Sequence, residues 1–170
     1  MKKSIIYLSI TVFISLLFFN CSSDDSNSDT KNEPILGSGH YSLRINGDGL
    51  NDELYEMTRD TIDVSGNGVR FSASDINSNF FNFKLPNPIE TLQYSVIEYS
   101  IGAVNTSNIT LSGNGIYLSE DGTIIISNII TDGQCQTFIG TLNINYRRQD
   151  NNPGTINVQG TFEVPYYGCD

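Results

Sequence analysis

Apolar and polar residues alternate along most of the chain from Ile35 onward, with the period of two that is typical of half-buried β-strands. Short clusters of glycine, asparagine, aspartate and proline separate the alternating runs and favour turns. The strongest hairpin signals are Asn67-Gly68 and Gly113-Asn114-Gly115, and Glu120-Asp121-Gly122 predicts a further turn. The pattern therefore predicts many short antiparallel strands.

Two segments depart from this alternation. Leu50, Leu54 and Met57 have the spacing of one or two helical turns, and the apolar run from Ile124 to Ile130 predicts a strand covered on both faces. No window of ten or more residues has a helical period. We therefore predict an all-β domain, a single antiparallel β-sandwich, with a small β-barrel as the alternative.

The last two predicted strands carry their apolar residues at even-numbered positions. These residues are Phe138, Leu142, Ile144 and Tyr146 in the first strand, with Ile139 as the exception, and Ile156, Val158, Phe162, Val164 and Tyr166 in the second. A hairpin that places Phe138 opposite Tyr166 aligns both sets and leaves a turn at 150–154.

The same register places Cys135 opposite Cys169 on the other face. Directly opposed residues have Cα atoms about 4.5–5.5 Å apart, which is within the range of a disulfide. An exported protein meets an oxidising compartment, so we predict a Cys135–Cys169 disulfide, with two free thiols as the alternative.

The chain begins with Met1-Lys2-Lys3, followed by sixteen almost uniformly apolar residues from Ser4 to Phe19. This run is shorter than the roughly 20 residues of a membrane span and fits the core of a signal peptide. It ends at Cys21, and Ser22, Ser23, Asp24 and Asp25 follow.

The segment resembles the signal peptides of bacterial lipoproteins, in which the cysteine is lipidated and becomes the new N-terminus. The acidic residues after Cys21 resemble the export signal of Bacteroidota surface lipoproteins of the flavobacterial type, which include small all-β proteins of uncharacterised function. The resemblance implies palmitate or a similar acyl chain on Cys21, with Ser22, Ser23, Asp24 and Asp25 as the export signal. An uncleaved transmembrane anchor is the alternative.

These features divide the chain into a signal peptide at 1–20, a lipidated cysteine and flexible linker at 21–34, and a β-rich domain at 35–170. The linker is rich in serine, aspartate and asparagine and lacks the apolar residues needed to order itself. The net charge is −10, and losing Lys2 and Lys3 with a signal peptide makes the mature chain more acidic still. This charge argues against a nucleic-acid partner and against contact with an anionic membrane other than through the lipid anchor.

Few residues suggest chemistry. His40 is the only histidine and has no second histidine to complete a metal site, so we predict no catalytic residue and no cofactor. The weak candidates for a calcium site are Asp48, Asn51, Asp52 and Glu53, although the segment does not fit an EF-hand loop.

Two further signals concern the surface of the domain. Asp60-Thr61-Ile62 resembles the O-glycosylation pattern of exported Bacteroidota proteins, which makes Thr61 an acceptor candidate; the alternative is an ordinary strand start. The chain has no tryptophan, so a glycan platform would have to use tyrosines, namely Tyr94, Tyr99, Tyr117, Tyr166 and Tyr167.

The resemblance thus implies a lipid-anchored protein of the outer membrane that faces the cell surface. We expect a non-enzymatic binding or structural module with a protein or glycan partner. The alternatives are a barrel that binds a small apolar ligand and a hydrolase that uses two carboxylates.

Overall fold

The computed structural model describes residues 39–150 and 154–167, whose regular structure consists of nine antiparallel β-strands. The strands are β1 (His40–Gly47), β2 (Leu50–Ser65), β3 (Gly68–Ser74), β4 (Phe80–Pro86), β5 (Gln93–Val96), β6 (Thr106–Leu111), β7 (Gly115–Asp132), β8 (Cys135–Arg148) and β9 (Thr155–Tyr167). In the described ranges, no helix has the length and hydropathy that a membrane span requires. The all-β prediction is confirmed.

Eight of the strands close into a barrel in the order β7-β6-β4-β3-β2-β1-β9-β8, and pairing of β7 with β8 completes the ring. The ninth strand, β5, pairs with β7 beyond the end of β6. The structure thus has the barrel that we gave as the alternative, and the predicted sandwich is wrong. Alternating apolar positions fit either architecture; the closing contact between β7 and β8 distinguishes them.

One apolar cluster fills the interior of the barrel, and aromatic side chains occupy its centre. Phe83 lies among four other rings, with centroid distances of 4.9 Å to Phe71, 5.3 Å to Phe162, 5.9 Å to Phe81 and 6.4 Å to Tyr41. All five side chains are buried. The inward-facing side chains therefore form a packed core, as expected for a barrel of this strand number.

The even-numbered residues of the final hairpin point inward as predicted, but the register is wrong by two residues. Phe138 pairs with Val164 rather than with Tyr166. A bulge lies just before this pair along β8, between Gln136 and Thr137. A shift of two residues keeps every side chain on its face, so the apolar pattern alone does not distinguish the two registers. The predicted register therefore no longer supports placing Cys135 directly opposite Cys169.

Three other local predictions are wrong. The segment with Leu50, Leu54 and Met57 is part of strand β2, because pairing with β1 supplies its main-chain hydrogen bonds. The run after Ile124 is covered on one face only, and Ile130 is 47% exposed. The predicted turn at 120–122 is a bulge inside β7, beside Asp121.

Candidate functional site

Strand β2 is twice as long as β1 and changes partner along its length. Its first half pairs with β1 on one side, up to Thr58, and its second half pairs with β3 on the other side, starting at Thr58. Within 39–150 and 154–167, no strand pairs with the first half on the β3 side. The first half of β2, residues 50–57, therefore has a free edge, which we call the β2 edge.

The hydrogen bonding of β1 shows which residues present main-chain groups at the β2 edge. The Arg59 amide donates to the Gly39 carbonyl at 3.0 Å, so this pair bonds across the two strands. Hydrogen-bonded and non-bonded pairs alternate along an antiparallel ladder. Tyr55 and Met57 therefore bond to β1, whereas Leu54 and Glu56 direct their amides and carbonyls away from it.

The β2 edge borders an open groove of about 930 Å³. One wall is β2 from Glu53 to Thr58, and the other is the β3–β4 turn with Asp75 and Ile76. The groove lies where β3 ends at Ser74, because β2 continues past this point without a neighbour. The groove therefore follows from the unequal lengths of the two strands.

The turn wall of the groove is held by its own hydrogen bonds. The Asp75 carboxylate accepts from the amides of Asn77 and Asn79 at 2.8 and 3.0 Å, and from the Asn79 side-chain amide at 2.7 Å. The side-chain oxygen of Asn79, Oδ1, in turn accepts from the Ser112 amide at 2.7 Å. This wall is therefore preorganised by hydrogen bonds between the β3–β4 and β6–β7 turns.

The lining of the groove combines acidic and apolar side chains. Glu53, Glu56 and Asp75 line it, and none of its described lining residues is lysine or arginine. Leu54 is 52% exposed and Ile76 is fully exposed, so an apolar patch lies beside these acids. The groove thus favours a partner that is basic and partly apolar.

Two side chains of β2 make contacts that keep the acids in place. Glu56 contacts the exposed His40 at 2.7 Å and accepts from the Ser42 hydroxyl at 2.9 Å. The Tyr55 hydroxyl donates to Glu53 at 3.1 Å. Desolvation, followed by this hydrogen bond, raises the pKa of Tyr55 to about 12, so the phenol is neutral at physiological pH.

A second polar cluster lies at one end of the barrel. Asp48 accepts a short hydrogen bond from the Tyr117 hydroxyl and lies 3.3 Å from Arg148, which also contacts Asp150 at 2.7 Å. Burial, with the Asp48 contact as the next cause, raises the pKa of Tyr117 to about 12. The cluster fixes the β1–β2 turn to β7 and β8, which is a structural role.

A third polar feature is a row of amide side chains on the outer face of β8 and β9. Asn157 donates to Asn143 and Asn145, both at 2.8 Å, and Gln159 donates to Asn157 at 2.9 Å. Asn145 continues the row to Asp121 on β7 at 2.7 Å. These amides hydrogen-bond one another, and all but the half-buried Asn157 are exposed, so they form a polar surface.

The predicted calcium ligands do not converge. Asp48 contacts Tyr117 and Arg148, Asp52 forms an ion pair with Arg44 at 2.8 Å, and Glu53 accepts from Tyr55. In the part of the chain that the structure describes, no group of three or more His, Cys, Asp or Glu residues has the geometry to hold a metal. The weak candidates, including the exposed Asn51, are therefore dispersed.

Several other predicted residues lie outside the described ranges. These are Cys21, Ser22, Ser23, Asp24, Asp25, Tyr167 as far as its side chain is concerned, and Cys169. The disulfide with the buried Cys135 therefore stays a prediction. Thr61 lies exposed in β2, in the irregular stretch between Arg59 and Ile62.

Three of the candidate tyrosines for a glycan platform are not exposed in the described ranges, and Tyr99 is half-buried. Tyr94 and Tyr117 are buried, and Tyr166 is partly buried against Phe138. The β2 edge itself was missed by sequence reasoning. Its only signal in the sequence is a leucine within the acidic segment at 52–56, which does not reveal that the neighbouring strand is shorter.

Comparison of the chain with family models, with curated proteins and with solved structures gives no match.

Proposed function

We propose that the chain is a lipid-anchored, surface-exposed lipoprotein of the outer membrane and acts as a non-enzymatic binding module. The binding face in this proposal is the groove beside the β2 edge. The observation that carries it is the free edge itself, since two residues whose main-chain groups have no partner among the described strands border a preformed groove. Edge strands of this kind are templates for pairing with another chain.

The anchor in this proposal is Cys21. One acyl chain binds a membrane reversibly, whereas two or more give stable attachment. The thirteen residues 22–34 would reach at most about 45 Å if fully extended, which is enough to hold a domain clear of a membrane surface. The groove is then available to a partner at the cell surface.

The two alternatives have less support. A barrel that binds an apolar ligand needs an interior cavity, whereas the described interior is filled by one apolar cluster. A hydrolase needs two carboxylates that are available to a substrate, whereas in the groove Glu56 contacts His40 and Ser42 and Asp75 accepts hydrogen bonds within its own turn. The amide row on β8 and β9 favours a glycan as a second candidate ligand, because amides hydrogen-bond hydroxyl groups.

Site-specific photocrosslinking in intact cells tests the binding proposal. A photoreactive residue at position 54 should capture one partner in the envelope, whereas the same residue at position 143, on the amide row, should not. Equal capture at both positions, or none at position 54, would contradict the groove as the binding face.

Incorporation of labelled palmitate tests the anchor. The wild-type chain should be labelled and recovered with the outer membrane. The Cys21→Ala variant should lose both the label and the attachment, and a variant that keeps them would contradict the lipid anchor.

A further inference from the structure

Resting on the binding function proposed above, the geometry points to the chemistry of the partner. We propose that the β2 edge takes up an extended, basic polypeptide segment of another protein, which adds to the sheet as one more antiparallel strand. This is the mode of recognition in which main-chain hydrogen bonds supply affinity and alternate side chains supply specificity.

The main chain of β2 provides the docking groups. Leu54 and Glu56 each direct one amide and one carbonyl into the groove, which gives an added strand up to four hydrogen bonds. In the described chain, neither residue has a strand partner on that side. An extended segment can lie beside β2 at the usual strand spacing of about 4.8 Å, because the groove is open along this side.

The charge of the groove selects between occupants. A second copy of this chain, paired edge to edge, would place Glu53 and Glu56 near their own copies, and opposed like charges destabilise a strand pair. The chain's own N-terminal segment carries Asp24, Asp25 and Glu33. Both occupants are acidic against an acidic groove, whereas a basic segment from another protein is complementary.

The side chains of β2 predict a short pattern in the partner. Leu54 and Glu56 project from the same outer face of β2, two residues apart. An antiparallel strand therefore needs a basic residue opposite Glu56 and, two residues later, an apolar residue opposite Leu54. Ile76 on the turn wall extends the apolar contact.

The acids also explain how a free edge is tolerated. Charged side chains are a common device that protects edge strands from pairing with copies of themselves. Glu56, on the outer face of β2, and Glu53, next to Leu54 along the strand, act in this way. The same charges leave the edge open to a basic chain, so one feature gives both protection and selectivity.

The test uses the full chain, purified in detergent, and a synthetic probe. The probe is a peptide of eight residues with blocked ends, in which lysine and valine alternate on one face and threonine occupies the other. One control peptide has glutamate in place of lysine. Another carries N-methyl groups on the lysine and valine amides, which are the amides that would face β2.

Two substitutions at one position isolate the main-chain donor. Leu54→Ala and Leu54→Pro both remove the side chain, but only the proline removes the amide that faces the groove. Proline is tolerated on an edge whose N–H is not part of the ladder, so we expect both variants to fold. Circular dichroism and urea unfolding check this for each variant.

We expect the lysine probe to bind the wild-type chain and the Leu54→Ala variant, and to bind Leu54→Pro about five- to tenfold more weakly than Leu54→Ala. The N-methylated and acidic peptides should not bind. The double variant Glu53→Gln with Glu56→Gln should weaken binding about threefold or more at low salt and reduce its salt dependence.

Equal binding to Leu54→Ala and Leu54→Pro, or equal binding of the acidic peptide, would overturn strand addition. A dimer that dissociates on Leu54→Pro would overturn it by assigning the edge to a second copy. A Leu54 amide that is protected in the free monomer would assign it to this chain's own N-terminal segment. If the lysine probe does not bind while crosslinking at position 54 still captures a partner, strand addition is wrong and the proposed binding function stands. If the probe does not bind and crosslinking captures nothing, both proposals are wrong.

Discussion

Replacing Phe83 by alanine tests whether the barrel interior is as closely packed as the structure indicates. The ring is fully buried and contacts the rings of Phe71, Phe81, Phe162 and Tyr41, with centroid distances from 4.9 to 6.4 Å. Truncation removes the transfer free energy of the ring and leaves a cavity among side chains on four strands, β1, β3, β4 and β9. Neighbours on separate strands have limited freedom to collapse into that cavity.

The expected loss is at the upper end of the range for such substitutions. Buried phenylalanine-to-alanine changes cost about 3–5 kcal/mol, and each aromatic pair adds about 0.5–1.5 kcal/mol beyond burial. We therefore expect Phe83→Ala to lower the free energy of unfolding by about 5 kcal/mol. With a urea slope of about 2 kcal/mol/M, this shifts the unfolding midpoint by about 2.5 M.

Equilibrium urea unfolding followed by tyrosine fluorescence measures the loss. Because about 5 kcal/mol can exceed the stability of a small domain, Phe83→Leu serves as a milder variant, with an expected loss of about 1–2 kcal/mol. Ile76→Ala is the matched control, since Ile76 is fully exposed and should change stability by less than about 0.5 kcal/mol. A loss below about 1 kcal/mol for Phe83→Ala would refute the packed interior and restore the cavity alternative.

Three further predictions follow from single contacts. Folding raises the pKa of Tyr117 from 10.0 to about 12, so its contribution to stability is complete below pH 10 and is lost as the pH rises to about 12. The difference in unfolding free energy between wild type and Tyr117→Phe should therefore shrink over this range. A constant difference would contradict the raised pKa. Gly140→Ala should cost about 1–3 kcal/mol in urea unfolding, because a Cβ there would overlap the Phe162 ring and main-chain oxygen on β7, and wild-type stability would contradict this packing. If Cys135 and Cys169 form the predicted disulfide, reduction should lower the free energy of unfolding by about 3–4 kcal/mol. The intact mass after alkylation should then differ between samples treated with and without reductant. Identical masses would exclude the disulfide.

The sequence predicted which face of each strand is buried better than it predicted which residues and strands pair. Every even-numbered apolar residue from Phe138 to Val164 in the last hairpin is buried, because alternation reports directly which face is apolar. The register was wrong by two residues because such a shift preserves this alternation. The alternation of apolar residues likewise could not predict closure into a barrel, because closure depends on the pairing of β7 with β8 over a long stretch.

The candidate site was not predictable for a related reason. Leu54 and Met57 have helical spacing by coincidence, and in the strand they point to opposite sides, with Met57 buried and Leu54 exposed. The free edge arises because β3 reaches only as far as Thr58. Nothing in the local sequence of β2 encodes where its neighbour ends.

Amide hydrogen exchange in the free, full-length chain measures directly whether the first half of β2 has a free edge. We expect slow exchange for the amides of Tyr55 and Met57, which bond to β1, and fast exchange for those of Leu54 and Glu56, which face the groove. Adding the lysine probe should slow the exchange of Leu54 and Glu56 and leave the other two unchanged. Slow exchange of all four amides before any partner is added would show that β2 has no free edge.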